Sequence, residues 1–179
     1  KACLAMALPV HKRDMLFRRI EELEGEVIHL TQSLVRIPTT NPPGEFYTDC
    51  CQLIANWLEP LGFEIEFIRA QGTPGDTDVY PRTNVIARRE GRSTGPCVHF
   101  NAHIDVVLAG QGWTFDPWAA EVRDGRIYGR GTCDMKGGLA ASMVAAKAFI
   151  AEFPDYPGAI EISGTVDEES GGYGGVAYL

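Results

Sequence analysis

KGGLAASMVAAKAFIAEF at Lys136–Phe153, followed by GAIEISGTV at Gly158–Val166, decides the fold class. The first stretch is full of alanine and glycine, so a helix made from it can lie close against a sheet. The second carries Ile160 and Ile162 in strand alternation. Working outward, the same alternation of element types recurs. Leu16, Ile20, Leu23, Val27, Leu30 and Leu34 recur at steps of four and three, the spacing of one amphipathic helix. Pro38 and Asn41-Pro42-Pro43-Gly44 end it in a loop. A second helix, capped at Thr48, carries Cys51, Ile54, Leu58 and Leu61 on one face and stops near Gly62. Phe63, Ile65 and Phe67 alternate as a strand, and Asn84–Arg88 and Cys97–Val107 have sheet-like spacing. Gln71–Arg82 reads as a surface loop, and Asp124-Gly125 between Val122 and Ile127 is a hairpin turn. This order predicts an α/β fold with a mixed, mostly parallel sheet flanked by helices.

A chain of 179 residues, 45% hydrophobic and 22% charged, has enough apolar surface for a core, which excludes a disordered or collagen-like protein. Sixteen Lys plus Arg against 24 Asp plus Glu give a net charge of -8, which disfavours attraction to nucleic acid or anionic lipid. No run approaches the ~18 apolar residues that would span a membrane. Five cysteines without a C-x-x-C pair suggest neither a disulfide framework nor a zinc knuckle, so a reducing, cytoplasmic setting is expected. The apolar stretch Ala2–Val10 after Lys1 has the pattern of a clipped leader, but no Met precedes it and charged residues follow at once. Residues 1–15 are therefore set apart as an N-terminal extension.

Polar residues gather where the expected strands end: His103 and Asp105 in NAHIDVV, Asp134 in GRGTCDMKGG, Glu168 and Glu169 in GTVDEESGG. Strand ends are where open α/β sheets place ligands. On a strand, His103 and Asp105 share a face. A neutral imidazole binds metals, and a carboxylate beside it fixes its tautomer; a half-buried histidine with an ion-paired neighbour has the same spelling. Asp134 stands between glycine-rich turns, where a carboxylate can bridge two cations or simply cap the next helix. Adjacent Glu168 and Glu169 could split the tasks of metal ligand and general base, or form a solvated acidic loop. His99 lies four strand residues, ~13 Å, from His103. That is too far for two ligands of one zinc at ~2 Å each, which assigns His99 to packing. No P-loop, no G-x-S-x-G elbow and no Cys–His pairing is present, so phosphate cradling and covalent nucleophile chemistry have no support.

In order and spacing, NAHIDVVLAG, GWTFDPW, DGRIYGRGTCDMKGGLAA and DEESGG resemble the di-zinc exopeptidase family of aminoacylases, acetylornithine deacetylases, succinyl-diaminopimelate desuccinylases and glutamate-releasing carboxypeptidases. IPTTNPPG and the helix after it are similar too, so the resemblance runs from about Leu16 to the last residue. Its most specific part is Tyr128–Gly138 together with His103, Asp105, Glu168 and Glu169. The resemblance implies that His103 ligates one zinc, Asp105 holds its imidazole and Asp134 bridges both zincs. Glu168 is then general base and later acid, and Glu169 ligates the second zinc; cobalt or manganese are substitutes. It also implies a non-prolyl cis peptide at Asp134–Met135. Two departures, Ala102 for a usual glycine and Leu108 for a frequent proline, touch shape more than chemistry.

The family has one further acidic ligand and a late histidine, separated by a dimerisation domain, and neither ligand is present up to Leu179. The expectation is therefore that residues 16–179 are the N-terminal part of the catalytic domain of a longer, homodimeric enzyme, inactive as this segment. The parent would hydrolyse the amide of a small N-acyl amino acid, with a dipeptidase or carboxypeptidase acting on short peptides as runner-up. A noncatalytic binding module that reuses the fold is the alternative from another class, and the retained Glu168 counts against it.

Overall fold

The computed structural model describes residues 9–179. Most of the leader-like stretch, and Cys3 with it, lies outside the described residues. The apolar stripe from Leu16 to Leu34 folds as two helices, not one: α1 (Val10–Glu22) and α2 (Glu24–Val35), broken at Leu23 with φ -95° and ψ 8°. Gly25, a poor helix former, lies just past the break, so a change of direction costs little there. The two halves then separate in role. α1 buries no residue fully, whereas α2 buries Leu30, Thr31, Leu34 and Val35. α1 begins at Val10, inside the stretch set apart as an extension.

α3 (Tyr47–Leu58) starts from Phe46 in left-handed geometry, φ 53°. Thr48 is inside this helix and caps nothing; its hydroxyl lies 3.3 Å from that of Thr83. The helix closes through a short 3-10 turn onto Gly62, φ 83°, as expected of a glycine at that position. Tyr47, Cys50, Cys51, Ile54 and Leu58 face inward.

The main sheet has four strands: β1 (Glu64–Arg69), β2 (Thr83–Glu90), β3 (Ser93–His103) and β6 (Pro157–Thr165), in the order β1-β2-β6-β3. β4 (Glu121–Arg123) and β5 (Arg126–Tyr128) form a separate hairpin. Asp124 at φ 50° and Gly125 at φ 71° make the expected two-residue turn there. The mixed sheet with packed helices is present, but the parallel majority is not. β1–β2 and β2–β6 are antiparallel and only β3–β6 is parallel. The connections explain this. A loop returns β1 to β2 directly, while β3 reaches β6 through α4 (Gly137–Glu152), and only such a crossover produces a parallel pair.

The core forms where α2, α3 and α4 meet the sheet, around the fully buried Leu34, Ile54, Leu58, Val85, Ile104, Leu139, Met143 and Ile162. α4 presents Leu139, Ala140, Met143, Val144, Ala146 and Ala148 to it. At Gly164 on β6 a Cβ would meet the side chains of Ile54, Ile104 and Val85 at 2.9–3.1 Å, so the Ile54 side chain of α3 packs directly on the strand's backbone there. No helix among the described residues is long and apolar enough to cross a membrane.

Candidate metal centre

The parallel pairing of β3 with β6 places His103 opposite Thr165. Two chain segments therefore leave the sheet at one edge: His103-Ile104-Asp105 from β3, and Val166-Asp167-Glu168-Glu169 from β6. Asp134 reaches the same place from the irregular turn Thr132–Lys136 that precedes α4. Ligand atoms of His103, Asp134 and Glu169 lie within 4.8 Å of one another. His103 Nε2 is 3.0 Å from Asp134 Oδ1 and 3.8 Å from Glu168 Oε2. The imidazole is buried, whereas the side chains of Asp134 and Glu168 are 75% and 59% exposed. A buried nitrogen thus sits beneath a rim of open carboxylates, in a hollow that Asn101, Met135 and Thr165 help to line.

Asp105 is fully buried, and its carboxylate does more than hold the imidazole. His103 Nδ1 lies 3.0 Å from the main-chain oxygen of Asp105 and 3.6 Å from Oδ1, so the carbonyl makes the closer contact. The carboxylate itself accepts the main-chain N–H of Glu168 on Oδ1 at 3.2 Å and that of Glu169 on Oδ2 at 3.1 Å. It also accepts the Asn41 amide at 3.2 Å. Burial favours its neutral form, but the nearby His103 ring and the bonds from Asn41 and the Glu169 N–H hold the carboxyl below its usual range. Burial likewise opposes the charged imidazole of His103, yet hydrogen bonding to Asp105 and Asp134 outweighs it and pushes the pKa up to about 9. Glu169 moves up instead, through burial first, with the charges of Asp134, Asp105 and Glu168 adding to it against the pull of His103.

All five residues singled out from the sequence meet here. The Asp134–Met135 peptide is cis, as the resemblance implies. His99 does not meet them and is not a packed core residue. Its ring Nε2 lies 2.8 Å from Ser163 Oγ on the open side of the sheet, because β3 is an edge strand over most of its length.

The sequence reading missed the groups beneath the rim: Asn41, Tyr47, Arg82, Asp167 and Lys136. Lys136 is fully buried, and its ammonium donates to the carbonyls of Leu34 (2.9 Å) and Ile37 (2.7 Å), tying the Asp134 turn to the end of α2. Burial pulls its pKa down. The only sequence signals were a lysine inside a glycine run and an asparagine inside a proline-rich loop.

Residues 99–179 match the sequence profile of Peptidase family M20/M25/M40. Over 146 residues the chain is 40% identical to succinyl-diaminopimelate desuccinylase of Pseudoalteromonas atlantica, covering 80% of this chain and 35% of that enzyme. Over 122 residues it is 44% identical to the enzyme of the same name from Dechloromonas aromatica, covering 67% and 29%. The fold is similar to that of the dipeptidase Dug1p from Saccharomyces cerevisiae, with TM-score 0.78, 21% identity, and coverage of 93% of this chain and 37% of that one. It is also similar to human carnosine dipeptidase 1, with TM-score 0.75, 25% identity, and coverage of 90% and 36%. By sequence, residues 99–179 carry a domain of the M20 peptidase family, that of a metal-dependent hydrolase, and the fold of the solved structures agrees with it. The chain spans about a third of the length of the curated relatives it matches.

Proposed function

We propose that the protein is a di-zinc hydrolase of the succinyl-diaminopimelate desuccinylase type, cleaving the amide bond of an N-acyl amino acid. Residues 16–179 form the N-terminal part of its catalytic domain, and a cytoplasmic homodimer belongs to the same reading. The observation that carries it is the convergence of one imidazole nitrogen and two carboxylates, from three separate chain segments, within 4.8 Å. That donor set suits zinc, which takes His N and carboxylate O at ~2.0–2.2 Å; cobalt or manganese would be substitutes. Burial first and then the charges of Asp134, Asp105 and Glu168 raise Glu169, and a cation would offset both.

His103, Asp134 and Glu169 would hold the metal. Bound there, a divalent cation supplies Lewis acidity toward a carbonyl and lowers the pKa of water. Glu168 stands beside these groups with an open carboxylate, suited to take a proton from the attacking water and return it to the leaving amine. Asp105 keeps the imidazole and both glutamates in register.

Identities of 38–44% to desuccinylases favour acyl amino acids over peptides as substrates. The test uses the full-length, zinc-loaded protein on N-succinyl-diaminopimelate, N-acetylornithine, other N-acyl amino acids and dipeptides. Preferential release of succinate is expected. Hydrolysis of none of them by metal-loaded protein sinks the enzymatic reading and leaves the binding module.

A further inference from the structure

Beneath the acidic rim lies an ion pair that no step of the proposed reaction uses. The side chains of Arg82 and Asp167 are 5% and 3% exposed, and Arg82 Nε donates to Asp167 Oδ2 at 3.0 Å. Arg82 Nη1 donates to the carbonyls of Pro43 (2.6 Å) and Tyr80 (3.2 Å). The space is made for this side chain. A Cβ on Gly44 or on Gly75 would come within 2.2 Å of a guanidinium nitrogen, and one on Gly174 within 2.7 Å of Arg82 Cγ. Three segments far apart in sequence thus lack a side chain where one arginine passes.

The other oxygen of Asp167 accepts the Tyr47 hydroxyl at 3.0 Å and the Asn41 amide at 3.2 Å. The same Asn41 nitrogen reaches Asp105 Oδ2 at 3.2 Å and Ser170 Oγ at 2.8 Å. Two buried carboxylates, those of Asp105 and Asp167, therefore stand close to one another with a shared amide between them. Arg82 supplies the compensating positive charge. Such a pair is a poor source of stability, because desolvation offsets the attraction and apolar replacements are often neutral or better. It does determine direction: Asp167, at φ 62°, is the residue from which Glu168 and Glu169 depart.

We propose that Arg82 is a positioning residue that acts through Asp167 and Asn41 to aim Glu168 and Glu169 at the metal centre. This inference rests on the functional reading above. Its test compares Arg82→Met, Asp167→Leu, the double variant and the milder Arg82→Lys in the full-length, zinc-loaded protein. The double variant should regain the wild-type Tm while kcat stays about 100-fold low with KM little changed, the cost of misplaced catalytic groups. Deuterium uptake over residues 166–171 should accelerate by about tenfold in every variant, metal-free or loaded, since the Asp105 carboxylate that accepts the Glu168 and Glu169 N–H groups shares the Asn41 amide with Asp167 and is no longer held in place through it. Arg82→Lys should keep the wild-type Tm with kcat about tenfold low, because one ammonium cannot reach all three acceptors at once. A double variant that recovers kcat together with Tm, unchanged exchange, or an Arg82→Lys protein of full kcat each overturns the proposal. Inactivity of the wild-type protein on every substrate would strike the functional reading instead, and the exchange rates would still decide the positioning role.

Discussion

The rim and the floor of the site are built on opposite principles. On the rim, Asp134 and Glu168 project into solvent with few partners, and Glu169 shares their negative surroundings. On the floor, Asp105, Asp167, Asn41, Tyr47 and Arg82 are buried and bonded to one another at 3.0–3.2 Å. Exposed charges are cheap to keep and cheap to remove, so a rim residue can be lost with little effect on folding. Buried ones are expensive to strand. Chemistry and foldedness are thus assigned to different residues only a few ångströms apart, and substitution can separate them.

The largest separation is expected at Glu168→Gln. In the full-length enzyme kcat should fall by about 10²–10⁴-fold, the usual contribution of a general base, with Tm and zinc content unchanged. Steady-state kinetics with parallel calorimetry reads both, and undiminished activity would return Glu168 to the solvated loop. Removing the metal is the next test. Chelation should abolish hydrolysis and zinc should restore it, while His103→Ala lowers bound zinc in metal analysis of the dialysed protein, each lost ligand removing one of the ~4 that zinc takes.

Asp105→Ala tests the floor. It strands the Glu168 and Glu169 N–H groups, the Asn41 amide and the His103 ring, so urea unfolding should show a loss of about 3–5 kcal/mol. A loss no larger than that of Glu168→Gln would erase the distinction between floor and rim.

The smallest effect concerns the loop that delivers Arg82. Asp76 accepts from Arg69 Nε at 2.9 Å and from the main-chain N–H of Arg82 at 3.1 Å, and the Arg69 bond leads in pulling its pKa down to about 2. A carboxyl lowered on folding stabilises the protein above its unfolded pKa of ~3.9, and that contribution is lost as pH falls through about 2. With Arg69 partly exposed, solvent screens the pair and the contribution is small. Asp76→Asn should flatten the stability profile between these pH values and leave it unchanged in shape near neutrality.

Elements built on local periodicity were legible in the chain itself. α4, β6, β2 and the Asp124-Gly125 hairpin stand where alternation and turn chemistry place them. The break at Leu23 was hidden because the apolar stripe runs through it without a change of step. The cap at Thr48 failed because a left-handed Phe46 starts the helix instead. His103, Asp134, Glu168 and Glu169, and Asp105 alone of the floor, were legible through the order and spacing of short motifs that resemble a known family, since each of them taken singly also reads as an ordinary structural residue.

The floor was not. Arg82 and Asp167 are 85 residues apart, and Asn41 and Asp167 are 126 apart, in segments that read as ordinary loops. What the residues determined unaided is which groups are candidates to bind a cation or move a proton, because side-chain chemistry and the spacing of the motifs limit the choice. Only the tertiary structure decided strand direction and the partners that aim those groups. Both depend on contacts between distant segments, and such contacts leave no periodic trace along a chain.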